Sequence, residues 1–191
     1  MTQIFGAFMV RQGASGEYLK IGYSPTSMPL QQRWRNNGLS ADFLADYLST
    51  FLPGEDAASA ERQAKLKGTV SYIANELLEN AMKFAYAPSL YAISLAMYLE
   101  PDAISLYVTN SVDPQALATF QLCIQRLLTE DPYDLYMEQL RRNVEAGHGD
   151  GSGLGLLTLL NDYGVTIAWK FEPVAPEAEV MTVTTMVRVP V

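Results

Sequence analysis

Apolar and polar positions repeat with two different periods along this chain, and the changes of period divide it into elements. Residues 3–11 and 18–23 carry short β-like patterning on either side of Gly13-Ala14-Ser15-Gly16-Glu17, which predicts a hairpin. Pro25 to Pro29 breaks the chain, and residues 30–52 follow with helical spacing interrupted near Asn36-Asn37-Gly38. Ser40 and Asp42 are the caps expected for a helix carrying Phe43, Leu44, Tyr47 and Phe51. Pro53-Gly54-Glu55-Asp56 reads as a turn and as the best boundary in the chain. From residue 56 to 87 the pattern is helical, in one piece or in two parted at Gly68-Thr69. Residues 90–99 and 103–110 predict two strands joined tightly at Glu100-Pro101-Asp102.

Residues 114–145 predict a long helical segment broken at Asp131-Pro132. A glycine-rich loop comes next, then a helix to about Tyr163, then strands over 165–171 and 180–189. The last strand sets Val183, Thr185, Val187 and Val189 on one face against Thr182, Thr184, Met186 and Arg188 on the other, so one face is the more buried. Strands joined by short turns pair antiparallel, and the intervening helices would cover one face of the sheet: an α/β sandwich.

Composition narrows the setting. The chain has 191 residues, 49% hydrophobic and 18% charged, which suits one globular domain, with or without an extension. No apolar run reaches the roughly 18 residues of a membrane span, and the N-terminus has no signal-peptide pattern, so no membrane association and a cytoplasmic setting are expected. Cys123 is the single cysteine and is expected as a buried small hydrophobe in the pattern Phe120, Leu122, Ile124, Leu127. With one cysteine and one histidine, Cys/His metal clusters are excluded by number. A net charge of −8 argues against nucleic acid as a partner. It also means that any polyanionic ligand must be met locally, by backbone dipoles, a metal ion or a few chosen cations.

Two segments carry candidate chemistry. The first is Gly149-Asp150-Gly151-Ser152-Gly153-Leu154-Gly155-Leu156-Leu157, with four glycines at alternate positions before an apolar helix. Such a loop lets the backbone approach a ligand closely and presents the unpaired N–H groups of a helix N-terminus to an anion. No Gly-Lys-Ser/Thr follows, so it is not a Walker loop. The second is Ser71 to Phe84, where Ile73, Leu77, Ala81 and Phe84 form an apolar stripe. Glu76, Asn80 and Lys83 align along its edge at i, i+4 and i+7. A carboxylate can orient or deprotonate a hydroxyl, an amide oxygen can coordinate Mg²⁺, and an ammonium can balance phosphate charge.

The pattern Glu76-x-x-x-Asn80-Ala81-x-Lys83 resembles the N-box of the GHKL ATPase superfamily, which includes gyrase-type ATPases, a heat-shock chaperone, histidine kinases and anti-sigma serine kinases. Gly151-x-Gly153-Leu154-Gly155-Leu156, followed by a helix and Tyr163-Gly164, resembles its second glycine box, and Thr184 to Pro190 resembles its last strand. The resemblance implies a two-layer Bergerat α/β sandwich with a mainly antiparallel mixed sheet and helices on one face. It divides the chain into a hairpin-helix extension, 1–55, packed on an ATP-binding domain, 56–191, with a helical lid over 114–148. It implies ATP and Mg²⁺ as cofactors: Glu76 catalytic, Asn80 on the metal, and Lys83, Gly149, Gly151, Gly153, Leu154 and Gly155 around the phosphates. In the family's first glycine box, Asp-x-Gly-x-Gly, this chain has Asn110-Ser111-Val112-Asp113-Pro114. Asn110 stands where an aspartate usually accepts a bond from adenine, and its amide oxygen would accept without charge assistance.

With the long lid, this resembles the SiaB-like branch of bacterial partner-switching proteins. That implies a Ser/Thr protein kinase acting on a STAS-like antagonist or a sigma/anti-sigma regulatory protein, with a metal-dependent serine phosphatase in the pathway. The alternative is a non-catalytic module of the same fold that sequesters its partner with weak or lost nucleotide binding. His148, the only histidine, is read as a loop residue. Arg33-Trp34-Arg35 is read as helix-end cations around a packed indole, or as a docking site for an acidic partner or a second copy in a homodimer.

Overall fold

The computed structural model describes residues 1–10, 16–24, 34–52, 56–147, 153–175 and 179–191. The Pro25–Pro29 break, the Pro53-Gly54-Glu55 part of the boundary turn, Arg33, His148, Gly149 and Gly151 lie outside the described residues, as do the side chains of Trp34 and Arg35. The strands are β1 (Gln3–Phe5), β2 (Tyr18–Tyr23), β3 (Ile93–Leu99), β4 (Ala103–Val112), β5 (Thr166–Pro173) and β6 (Met181–Pro190). The helices are α1 (Trp34–Ser49), α2 (Ala57–Phe84), α3 (Leu117–Thr129), α4 (Pro132–Glu145) and α5 (Gly155–Asp162). The strands form one sheet in the order β1-β5-β6-β4-β3-β2. Every pairing is antiparallel, so the parallel component of the expected mixed sheet is absent among the described residues.

Alternation along the strands sorts the sheet into two faces. Leu95, Met97, Ile104, Leu106, Ile167, Trp169, Phe171, Val183 and Val187 join α1, α2, α3 and α5 in one continuous core. Ala96, Tyr107, Ala168 and Met186 point to the opposite face and form a small separate cluster with Phe8 and Tyr98. The helices therefore lie on one face, and α4 packs mainly on α5.

The hairpin expected from residues 3–11 and 18–23 does not form: β1 and β2 lie at opposite edges of the sheet. Gly6, at φ +75°, turns the chain away from β5 so that residues 7–10 cross the face without helices. There Phe8 meets Tyr107 edge-on at 5.8 Å, Tyr107 Oη donates to Met9 O at 3.0 Å, and Met9 N donates to Met186 Sδ at 3.4 Å. Met186 is for this reason as buried as the valines of the other face of β6.

The interruption expected in the first long helix is also absent, and the second takes the one-piece form of its two expected readings. α1 continues through Asn36-Asn37-Gly38, with Ala41, Leu44, Ala45 and Leu48 buried. Ser40 and Asp42 are interior residues and not caps: Ser40 Oγ donates to Asn36 O, and Asp42 accepts from Ser71 Oγ at 2.8 Å. α2 runs unbroken through Gly68, started by a reciprocal cap in which Ser59 N donates to Asp56 Oδ1 and Asp56 N to Ser59 Oγ. Glycine inside a helix costs about 1 kcal/mol, less than the burial of one leucine, at about 1.5–3 kcal/mol, so packing overrides the local preference. The Asp42–Ser71 bond, the Asp46–Lys67 ion pair and a bond from Gln63 Nε2 to Ser49 O set α1 antiparallel to α2. No helix among the described residues is long and apolar enough to cross a membrane.

At Gly6 a Cβ would lie 3.1 Å from Ile167 O on a left-handed backbone. Gly6→Ala is expected to cost about 1–2 kcal/mol, read as a lower urea midpoint at unchanged slope; an unchanged midpoint would mean that residues 7–10 do not hold the crossing described.

Candidate functional site

The second half of α2 is seated on the sheet by Val70, Ile73, Ala74, Leu77, Leu78, Ala81 and Met82, all buried. Its end is stapled to β4: Ala85 bridges Val112, Tyr86 N donates to Ser111 O at 3.2 Å, and Ser111 Oγ donates to Tyr86 O. Phe84, expected in the apolar stripe, is the last residue of the helix and is 61% exposed. With the buried stripe fixed, Glu76 and Asn80 are left on the flank that meets α5.

There the two sequence motifs come together. A Cβ built on Gly155, the first residue of α5, would overlap Glu76 Oε2; Glu76 Cδ would be 3.1 Å away and Asn80 Nδ2 3.9 Å. Only a residue without a side chain lets α5 begin this close to α2. The N-terminus of α5 has no side-chain cap, and its first helical bond runs from Thr158 N to Leu154 O at 2.8 Å. Its leading N–H groups thus carry the partial positive charge of an open helix end. Tyr72, one turn before Glu76, stacks on Tyr163 at the far end of α5 (5.2 Å, 17°). Burial, with Glu76 and Tyr163 nearby, pushes the Tyr72 phenol up.

Burial, and secondarily the charge of Glu79, holds the Glu76 carboxyl above its ordinary value. Glu79 itself accepts from Asn75 Nδ2 at 2.9 Å on the adjoining flank. A carboxyl displaced upward in this way is suited to taking a proton from a hydroxyl or returning one. Lys83 is exposed at the end of α2, its ammonium 5.5 Å from the centre of the Phe84 ring. Asn110, on the helix-facing side of β4 opposite Val183, is 5% exposed and donates from Nδ2 to Ser111 O at 2.9 Å.

Two side chains that motif reasoning did not single out complete the arrangement. Gly153 adopts φ +81°, and a Cβ there would lie 3.2 Å from Gln139 Nε2 on α4. Gln139 Nε2 in turn donates to Oδ1 of buried Asn143 at 3.0 Å. The i, i+4 spacing of two carboxamides is the only trace of this pair in the sequence. The segment expected as a lid consists of α3 and α4 and borders the glycine turn. Cys123 is exposed and not buried: the buried line of α3 runs through Ile124 with Phe120 and Leu127 beside it, while Leu122 and Cys123 fall on the outer side.

No protein-family model matches this chain, and no curated protein matches it in sequence. Any functional reading rests on these side chains and on the order of the two motifs. Among the described residues no three His, Cys, Asp or Glu side chains gather as a metal cage. A cation at Asn80 would take most of its oxygens from a phosphate ligand and water, the usual habit of Mg²⁺.

Gly155→Ala is expected to destabilise the protein by about 1–3 kcal/mol, because the Glu76 carboxylate must be displaced. In a Glu76→Ala background the same change should be neutral or stabilising, since alanine is the better helix former. Additive effects in this double-mutant cycle would contradict the contact.

The upward shift at Glu76 also has a sign. The folded state binds this proton more tightly than the unfolded state, so the contribution of Glu76 to stability declines as pH rises from its ordinary value of 4.5. Glu76→Gln should therefore be more stable than wild type at neutral pH and lose that advantage below about pH 4, as followed by thermal melts across pH.

Proposed function

We propose that this protein is an ATP-binding regulator of the Bergerat type, a Ser/Thr protein kinase that acts on a small STAS-like antagonist in a bacterial partner-switching pathway. The observation that carries the reading is the meeting of Glu76 and Asn80 with Gly155, which joins two motifs distant in the chain at one helix N-terminus without a side-chain cap. The all-antiparallel sheet with its helices on one face is compatible with it.

The residues present fit a magnesium nucleotide. Asn80 offers the amide oxygen that would hold Mg²⁺; the N–H groups of Gly153 and Gly155, with Gly149, Gly151 and Leu154, would line the phosphates, and Lys83 would balance their charge. Asn110 would meet the base. Mg²⁺ and ATP, when bound, supply charge neutralisation and the phosphoryl group. Glu76 orients the acceptor hydroxyl and receives its proton, and its raised affinity for a proton suits that task. Positioning and electrostatics do the rest. The partner is a STAS-like or sigma/anti-sigma protein, with a serine phosphatase reversing the modification.

A second reading, a binding module of the same fold without transfer, is favoured by one observation. Asn110 is buried, its amide is engaged by Ser111 O, and no glycine opens the backbone beside it.

Titration with Mg²⁺-ATP separates the readings. Saturable binding by wild type, lost in Asn80→Ala, is expected; absence of binding at millimolar nucleotide would overturn the kinase reading and leave the binding module. Where nucleotide binds, transfer of labelled phosphate to a STAS-like acceptor should disappear in Glu76→Gln while nucleotide affinity is kept.

A further inference from the structure

We propose that Gln139 of α4 is a positioning residue for the ligand at the glycine turn: it holds Gly153 in its left-handed conformation and so sets the direction of the first N–H groups of α5 opposite Glu76. The proposal rests on the nucleotide reading for the identity of that ligand, but its structural half does not.

Three observations lead to it. Among the described residues, the heavy atoms nearest to a Cβ built on Gly153 belong to Gln139: Nε2 at 3.2 Å, Cδ at 3.3 Å and Cγ at 3.7 Å. The carboxamide thus covers the very side of the turn from which a side chain is missing. Gln139 is itself held, because Nε2 donates to Oδ1 of Asn143, which is 6% exposed and lies one helical turn further on. Finally, α4 is pinned to α5 at its other end: Asp131 caps α4 by accepting from Tyr133 N and Asp134 N, and Asn161 Nδ2 of α5 donates to Pro132 O at 3.1 Å. A helix pinned at its start and pressing Gln139 on the turn two helical turns later fixes α4 relative to the residues that lead into α5.

The turn is therefore gripped from two sides, at Gly155 by the carboxylate of Glu76 and at Gly153 by the carboxamide of Gln139. Glycine alone visits positive and negative φ about equally. Without the side contact, the N–H groups that follow would lose their fixed direction, and binding would have to order them. A neutral carboxamide suits the position: it adds no negative charge beside an anion. Gln139 acts through Gly153 and is not assigned a part in the chemistry.

Gln139→Ala and Gln139→Glu in the full chain test this. Without nucleotide, amide hydrogen exchange over residues 153–157 should quicken in Gln139→Ala while the thermal midpoint stays close to wild type; unchanged exchange would overturn the inference whatever the protein binds. With Mg²⁺-ATP, Gln139→Ala should bind about tenfold more weakly. Gln139→Glu supplies a readout that loss of packing would not move. Its affinity relative to wild type should approach unity at about pH 4, where the carboxyl is protonated and can donate to Asn143, and fall as pH rises and the carboxylate faces the phosphates. Wild-type binding matched by both variants at every pH would sink the positioning role and leave the nucleotide reading standing. Quickened exchange in Gln139→Ala with no ATP binding by wild type would instead remove the nucleotide reading and confirm only the grip on Gly153.

Discussion

The seating of α2 on the helix-facing side of the sheet is the constraint on which the rest depends. Its buried residues from Val70 to Met82 span more than three turns, and the Ala85–Val112 bridge pins the helix end to the central strand β4. Rotation of α2 about its axis would expose Leu77 and Leu78, and sliding would break the bonds between Tyr86 and Ser111. Each option costs several kcal/mol by the usual scale for buried leucine. Glu76 and Asn80 therefore have no choice of direction: the same packing that hides their neighbours points them at α5. Gly155 then decides how near α5 can come. A methyl group there would push the helix end away from the carboxylate, so a missing side chain on one element and a buried stripe on another together define a single small volume.

That volume carries an electrostatic tension that suits a site more than a scaffold. A carboxylate is partly buried, with a second carboxylate one turn away, in a chain of net charge −8. Stability would be served by an amide at Glu76. The counterweight is the N-terminus of α5, whose partial positive charge is available because no side chain among the described residues caps it. Polar groups held against their own preference and aimed at one another are where a fold gives up stability to keep chemistry in reach. The ion pairs of Arg126 with Glu130 and Glu138 show the contrast: they are exposed, mutually satisfied and unrelated to any hollow.

The elements that sequence patterning placed correctly are those where one strong period runs uninterrupted or where chemistry marks the break. The α2 stripe from Ile73 to Ala81, the Glu100-Pro101-Asp102 turn between β3 and β4, and the Asp131-Pro132 step between α3 and α4 belong here; Asp131 caps α4 as its position suggests. The failures come from competition between local and distant terms. Gly38 signals a break locally, but the helix around it buries enough apolar surface to continue, and the same holds at Gly68, where the pattern leaves one piece or two open. The loop between the first two strands resembles a hairpin connection, yet Gly6 turns the chain out of β1 before any pairing with β2. Cys123 lies in the apolar pattern of Phe120, Leu122, Ile124 and Leu127, but burial follows the line of Phe120, Ile124 and Leu127 and leaves Cys123 and Leu122 outside it. Of the candidate site, Glu76, Asn80 and Gly155 were legible because their spacing is periodic or their composition unusual. Gln139, Asn143, Tyr72 and Tyr163 were not, because each gains its role only from a neighbour on another helix.

The departure at Asn110 has a local explanation that bears on how a base would be met. Asn110 lies within β4, and its Nδ2 is committed to Ser111 O. An aspartate there would lose that donor and bring a carboxylate oxygen against a carbonyl oxygen in a buried place, two acceptors with no proton between them. The backbone at Ser111 thus selects an amide over a carboxylate. With the amino group so engaged, the carbonyl oxygen is the end left to accept from an exocyclic amino group, the same role the aspartate fills in the resembling family but without its charge. Since a charged acceptor is worth roughly twice a neutral one, a nucleotide bound as proposed would gain less at its base and more at its phosphates. Its affinity would then lean on the turn at Gly153 to Gly155, and any residue that keeps this turn in order would gain weight accordingly.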